Sequence, residues 1–108
     1  MDAQLKRGLL NICILQLLKQ DDMYGYDMIK ILLEYFPDTD ESTFYAILRR
    51  LNKEHLTDMY YSNVSNGPKR KYYKITEIGR QVFTEYIDSI YEIKKILSGL
   101  GIVKECQK

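Results

Sequence analysis

The sequence predicts a mainly α-helical fold: a winged helix-turn-helix with a three-helix core, a two-stranded β wing and a long C-terminal dimerisation helix. Three observations lead to this class. Apolar residues recur at helical spacing in three successive segments between residues 4 and 53. Two runs rich in Tyr, Val, Thr and Ile then flank a turn that contains glycine. A heptad pattern of apolar residues follows the second run.

The composition is that of one folded domain. Of 108 residues, 45% are hydrophobic and 29% are charged, which gives enough chain for one core and too little for two. No apolar run has the length of a membrane span, and the N-terminus lacks the features of a secretion signal. Cys13 and Cys106 have no short spacing, so we expect two free thiols and a cytoplasmic protein.

The first helix is expected over residues 4–19. From Leu9 to Leu18 it is apolar around most of its circumference, whereas a surface helix needs only one apolar stripe. Because so small a chain cannot cover two sides of a helix, the pattern indicates a subunit contact that includes Leu9 and Ile12. The alternative interpretation is a central core helix.

A second helix is expected over residues 24–35, after a polar break at residues 20–22 that can supply an N-cap. Gly25 near its start costs up to about 1 kcal/mol relative to Ala. It indicates the close approach of another backbone or of a phosphate, with packing the favoured interpretation. The predicted buried stripe comprises Met28, Ile29, Leu32, Leu33 and Phe36.

A third helix is expected over residues 40–53, with Thr39 or Asp40 as its cap and Glu41 in its first turn. Its two faces differ in chemistry. The core face comprises Phe44, Ile47, Leu48 and Leu51, and the opposite face comprises Ser42, Tyr45, Ala46, Arg49 and Lys53. Hydroxyls, one small residue and cations suit contact with a DNA groove, although any solvated amphipathic helix could show them.

A β-hairpin is expected next, with strands at residues 56–64 and 70–75 and an Asn66-Gly67 turn between them. In the second strand Tyr73 and Ile75 alternate with polar residues, so that one face can return to the core while the other stays cationic.

Positive charge is concentrated in this region. Residues 66–80 contain five cations and one carboxylate, a net charge of +4, whereas the whole chain has a net charge of only +1. A basic hairpin beside a helix-turn-helix is what a phosphate-contacting wing requires. The alternative is a solvated run of charge.

The last helix is expected to start at a Thr76 cap, to continue to Ser98 and to be ended by Gly99 and Gly101. Its heptad places Phe83, Ile90 and Leu97 at one core position and Tyr86, Ile93 and Leu100 at the other. A single helix of about three heptads is only marginally stable in water, so this apolar heptad pattern predicts that a partner helix packs against it. We therefore expect a twofold dimer, with residues 1–75 as the DNA-binding domain and residues 76–108 as the dimerisation helix and tail.

Three segments, residues 24–30, 42–51 and 67–79, together resemble the PadR family of bacterial transcriptional regulators. They carry a Gly-Tyr pair, a Thr-x-Tyr element and the pattern Arg-Lys-Tyr-Tyr-x-x-Thr-x-x-Gly, and the similarity covers residues 9–97. The single short C-terminal helix looks like the small-subunit branch of that family. The resemblance implies a dimeric winged-helix repressor that leaves a palindromic operator when a small effector binds or a signal acts.

The resemblance also implies roles for individual residues. Ser42, Thr43 and Tyr45 match the part of the recognition helix that enters the major groove, and Tyr24 matches a position near the DNA backbone. Arg49 is included among the DNA-contacting residues only because its position around the helix axis places it on the same face. The wing cations, where phosphate or minor-groove contact is expected, are Lys69, Arg70 and Lys71.

Two other classes of function compete. A winged-helix protein-interaction module without DNA binding is disfavoured by the concentrated charge. An enzyme is not expected, because His55 is the sole histidine and neither a metal-ligand spacing nor a glycine-rich phosphate loop occurs. We expect no metal and no cofactor. With no Trp in the chain, a planar aromatic effector would have to stack on Phe83, Tyr86 or Tyr91, residues that equally suit a dimer core.

Overall fold

The computed structural model describes residues 1–63 and 67–104. In these ranges the chain forms α1 (Ala3–Gln20), β1 (Met23–Tyr24), α2 (Gly25–Tyr35), α3 (Glu41–Lys53), β2 (Thr57–Ser62), β3 (Arg70–Ile75) and α4 (Glu77–Gly99). The strands make one antiparallel sheet in the order β1-β3-β2. The predicted winged helix-turn-helix fold is confirmed, with one short strand more than expected.

Side-chain hydrogen bonds cap the N-termini of α1 and α4. The Asp2 carboxylate accepts hydrogen bonds from the backbone N–H groups of Gln4 and Leu5, at 3.0 and 3.1 Å. The Thr76 hydroxyl accepts from the backbone N–H of Gly79 at 2.9 Å, as predicted. Both helices therefore start at the residue after their cap, and α1 is one residue longer at each end than expected.

The cap predicted for the second helix is wrong. Residues 20–22 do not cap α2, because the chain stays extended through Met23 and Tyr24, which pair with Tyr73 and Tyr72 of β3. Tyr24 then occupies the N-cap position and makes no side-chain cap bond. Asp40 is the N-cap of α3 as predicted, but its backbone carbonyl, not its carboxylate, accepts the bond from Thr43.

The hairpin has the predicted second strand and a shorter first strand. β3 covers residues 70–75 as expected, whereas β2 runs from Thr57 to Ser62. The register pairs Thr57 with Ile75 and Ser62 with Arg70. Val64 of the predicted first strand and Asn66 of the predicted turn lie outside the described residues, as does Cys106.

One apolar core joins the three-helix bundle, the sheet and the start of α4. The predicted core face of α3 is buried, and so is the stripe of α2 except for the half-buried Leu33. From α1 the core receives Leu10, Ile14, Leu15 and Leu18. Another set of α1 side chains is only partly covered by this chain: Leu9, Ile12, Cys13 and Leu17.

The last helix changes environment along its length. Near its start Phe83 is buried, with the Lys19 ammonium 5.0 Å from the ring centroid. Further along, Tyr91 is 63% exposed and Ile93 is 51% exposed. The first turns of α4 therefore belong to the domain core, whereas its second half leaves apolar side chains uncovered.

Candidate nucleic-acid interface

Helix α3 presents its polar face to the outside of the domain. Its four apolar side chains are buried, whereas Ser42, Thr43, Tyr45 and Arg49 are exposed. The buried residues fix the rotation of the helix about its axis, so that its hydroxyls and cations face solvent. This orientation is what a helix that contacts base edges needs.

A concave site of about 190 Å³ lies along one side of α3, and we call it the tyrosine cradle. The cradle unites the start of α2, the outer face of α3 and the middle of β3. Four of the predicted DNA-contacting residues line it: Tyr24, Tyr45, Arg49 and Lys71. Its other lining residues are Gly25, Tyr26 and Tyr73.

Gly25 allows the floor of the cradle to form. A Cβ atom at this position would lie 3.1 Å from Cε1 of Tyr73 and 3.8 Å from Cε1 of Tyr45. The glycine therefore makes room for the Tyr73 ring beside the first turn of α2, whereas Tyr45 would lie at ordinary contact distance, which agrees with the packing interpretation of this residue.

Aromatic rings pack within the wing and join it to Tyr24, the residue directly before α2. The ring centroids of Tyr60 and Tyr72 lie 5.7 Å apart at an interplanar angle of 17°, and Tyr24 lies 6.1 Å from Tyr72. The guanidinium carbon of Arg70 lies 5.1 Å from the centroid of Tyr24, within cation–π distance. The Tyr60 hydroxyl donates to Asp22 at 2.8 Å. These contacts hold the base of the wing beside β1 and the start of α2.

Two of the cradle tyrosines, Tyr45 and Tyr73, are neutral hydrogen-bond donors at physiological pH. Burial raises the pKa of Tyr73, and burial together with the Glu41 carboxylate raises the pKa of Tyr45. Both phenols thus keep their protons well above neutral pH. A protonated phenol can donate to a phosphate oxygen, and Arg49 and Lys71 add positive charge in the same site.

Not all predicted DNA-contacting residues meet in the cradle. Ser42 and Lys69 are exposed elsewhere, and Thr43 lines a separate cavity on the α1 side of α3. Tyr26 and Tyr73 line the cradle but were not among the residues predicted to contact DNA. The density of tyrosines near Tyr24 was a signal for Tyr26. Alternation along β3 predicts that Tyr73 faces the core, and in the fold Tyr73 is buried and also lines the cradle.

An apolar groove of about 430 Å³ lies between α1, α2 and the start of α4. It is lined by Ile12, Cys13, Gln16, Leu17, Ile31, Leu32, Tyr35, Phe36, Phe83 and Ile87. Of the residues predicted to form the dimer, Ile12 and Phe83 thus lie in this groove, while Ile93 is exposed further along α4. The remaining four are half-buried: Leu9, Tyr86, Ile90 and Leu97.

Other kinds of site find no support in the part of the chain that the structure describes. No group of three or more His, Cys, Asp or Glu residues among the described positions is placed to hold a metal ion. Cys13 is a free, half-buried thiol whose pKa is raised by burial, the opposite of an activated nucleophile. None of the helices seen in residues 1–63 and 67–104 is long and apolar enough to cross a membrane.

Comparison with known proteins agrees with this geometry. The family model described as the transcriptional regulator PadR-like family matches residues 14–85. A PadR-like transcriptional regulator from Bacillus cereus is 33% identical, with a TM-score of 0.80 over 91% of this chain and 96% of that one.

Two further relatives extend the match. A PadR family transcription regulator from Clostridium difficile is 33% identical, with a TM-score of 0.76 over 84% of this chain and 96% of its own. An uncharacterised protein of Lysinibacillus sphaericus is 36% identical over 94 residues, which are 84% of this chain and 86% of that protein. The chain therefore belongs to the PadR-like family, whose members are transcriptional regulators rather than enzymes.

Proposed function

We propose that the protein is a dimeric, sequence-specific DNA-binding repressor that a small effector releases from its operator. The observation that carries this proposal is the tyrosine cradle, which unites two cations and several phenols beside the exposed face of α3. In this proposal α3 enters the major groove, and the cradle and wing hold the DNA backbone.

The two kinds of contact fall to different residues. Ser42, Thr43 and Tyr45 are exposed on the first two turns of α3, where hydroxyls can reach base edges. Arg49 and Lys71 supply charge to phosphates, which sets affinity and position without reading sequence. The exposed Lys69 and the ring-stacked Arg70 extend this phosphate contact along the wing.

Dimerisation is supported by the uncovered apolar surface of α4. Tyr91, Ile93 and Ile96 are each more than half exposed, which is unusual for a monomer. The matching surface is the apolar groove between α1 and α2, so a twofold contact can bury the second half of each α4 against the partner's groove. A dimer would then place its two recognition helices about 34–36 Å apart, one turn of DNA.

The effector is proposed to be a planar aromatic compound bound at this subunit contact. Phe83 lines the apolar groove, and Tyr86 and Tyr91 lie one and two turns further along α4. Titration with aromatic compounds should quench tyrosine fluorescence and release bound DNA. Compounds that do neither are excluded as effectors.

DNA binding is tested by fluorescence anisotropy with the DNA upstream of the protein's own gene, over a series of salt concentrations. For Lys71→Ala we expect the slope of log K against log salt to fall by about one unit, because one phosphate contact is lost. Lys104→Ala is the matched control, since Lys104 is an exposed cation beyond the end of α4.

Two outcomes would contradict the proposal. A dimer without salt-sensitive affinity for DNA would favour a winged-helix protein-interaction module. Wild-type DNA binding with an unchanged slope in Lys71→Ala would remove the cradle from the mechanism.

A further inference from the structure

A second cavity, of about 490 Å³, lies on the side of α3 opposite the tyrosine cradle. Its walls are the N-terminal half of α1, the connection between α2 and α3, and α3 itself. It is lined by Ala3, Lys6, Arg7, Leu10, Asp38, Thr39, Asp40, Thr43, Ala46, Ile47 and Arg50. Tyr45 and Arg49 thus face the cradle, whereas Thr43 and Ala46 face this second cavity.

The dimensions of the DNA major groove indicate what could bind at this cavity. The major groove is about 12 Å wide, and a helix with its side chains is about 10–12 Å across, so a helix in the groove has a phosphate backbone on each flank. On one flank of α3 the cradle offers Arg49 and Lys71. On the other flank three cations line the cavity: Lys6 and Arg7 near the start of α1, and Arg50 of α3, whose guanidinium is engaged by Asn11.

We propose that Lys6 and Arg7 bind the phosphate backbone of one DNA strand while the tyrosine cradle binds the other. The first turns of α1 and the cradle then clamp the recognition helix in the groove from both sides. This inference rests on the proposed DNA binding and adds a contact surface to it. Arg7 is exposed and Lys6 is half-buried, so that its ammonium can reach outward from a packed stem.

A hydrogen bond fixes the geometry of this clamp. The Arg50 guanidinium of α3 donates to the Asn11 side chain of α1. Among the described residues the Nε of Arg50 is buried and has no partner. Arg50 therefore links α3 to α1, and the pair holds Lys6 and Arg7 at a set position relative to the recognition helix.

Two carboxylates limit where a phosphate can sit. Asp38 and Asp40 line the same cavity on the side of the α2–α3 connection, and they repel an anion. A phosphate is therefore confined to the α1 side. Removing one of these charges, in Asp38→Asn, should tighten DNA binding, whereas a cavity that does not face DNA would leave the affinity unchanged.

The test uses Lys6→Gln and Arg7→Gln, which remove charge but keep most of the side-chain stem, on DNA selected by the wild-type protein. Each variant should lower the salt slope by about one unit and weaken binding equally on all sequences. Lys104→Ala again serves as the control. A wild-type slope in both Gln variants, with a reduced slope in Lys71→Ala, would overturn this inference and leave the proposed function standing.

Neutral methylphosphonates placed one at a time in each strand supply a second measurement. Wild-type protein should lose affinity at positions on both strands of a half-site. Lys6→Gln should be insensitive at positions on one strand, and Lys71→Ala at positions on the other. The inference fails if both variants respond to the same strand, and an absence of wild-type DNA binding would refute the proposed function itself.

Discussion

Gly79 holds the junction between α4 and the sheet, and Gly79→Ala is expected to destabilise the fold. A Cβ atom at this position would lie 2.1 Å from the carbonyl oxygen of Leu56 and 2.8 Å from Cγ1 of Ile75. Because the nearest atom belongs to the backbone, rotating a side chain cannot relieve the clash. The start of α4 must move away from residues 55–57, where the Thr76 N–H donates to the Leu56 carbonyl at 3.1 Å and the Thr76 hydroxyl donates to the His55 carbonyl at 2.7 Å.

The size of the effect follows from three contributions. Overpacking against a buried group costs about 1–3 kcal/mol. Loosening these hydrogen bonds to Leu56 and His55 costs about 1 kcal/mol more. Because Ala has a higher helix propensity than Gly, the substitution also stabilises α4 by up to about 1 kcal/mol. The net loss is about 2 kcal/mol, which corresponds to a fall in Tm of about 10 °C for a domain of this size.

Thermal unfolding followed by far-UV circular dichroism measures this change, at one protein concentration because a dimer's Tm depends on it. Gly8→Ala is the control: Gly8 lies inside α1, and a Cβ there would meet no atom within 4 Å. It should keep or raise the Tm. An unchanged Tm in Gly79→Ala, or an equal loss in Gly8→Ala, would refute the steric explanation.

Three further predictions concern other parts of the fold. Asn11→Ala should lower the free energy of unfolding in urea by about 1–3 kcal/mol, because it leaves the part-buried Arg50 guanidinium without its acceptor. Burial raises the pKa of Tyr73 above its ordinary value of 10, so its neutral form stabilises the fold fully below about pH 10, and this stability is lost as the pH rises through the folded-state pKa. The free energy of unfolding should therefore fall in alkali, and it should fall less in Tyr73→Phe, which has no phenol to ionise. Ile93→Lys should convert the proposed dimer to a monomer, as measured by light scattering after size-exclusion chromatography.

Each of these predictions has an outcome that contradicts it. Wild-type stability in Asn11→Ala would mean that water or another group satisfies Arg50. An identical alkaline profile in Tyr73→Phe would assign the loss to other groups. A dimer that survives Ile93→Lys would move the subunit contact away from the second half of α4.

The elements that the sequence predicted correctly depend on local contacts. Helix α3 was predicted within one residue, because its four core residues repeat at helical spacing and all four are buried. The strand at residues 70–75 was predicted exactly where it lies, because alternation identifies Tyr73 and Ile75 as its inner face. The Thr76 cap was found from its position before an acidic first turn.

The elements that it missed depend on contacts far apart in the chain. Met23 and Tyr24 form a strand only because β3 lies beside them, and two residues carry no periodicity of their own. The same pairing displaced the expected cap of α2. The tyrosine cradle likewise combines the start of α2, the face of α3 and the middle of β3, whose proximity no local pattern records.

The sequence by itself determined the winged-helix class, the order of most elements and the two faces of α3. These follow from backbone hydrogen bonds and apolar repeats that act over a few residues. Only the tertiary structure decided which side chains share a site. It united Tyr24, Arg49 and Lys71 in one cradle and placed Thr43 beside Lys6 in a separate cavity. The physical reason is that a site is made by packing of distant segments, which brings together residues that have no relation along the chain.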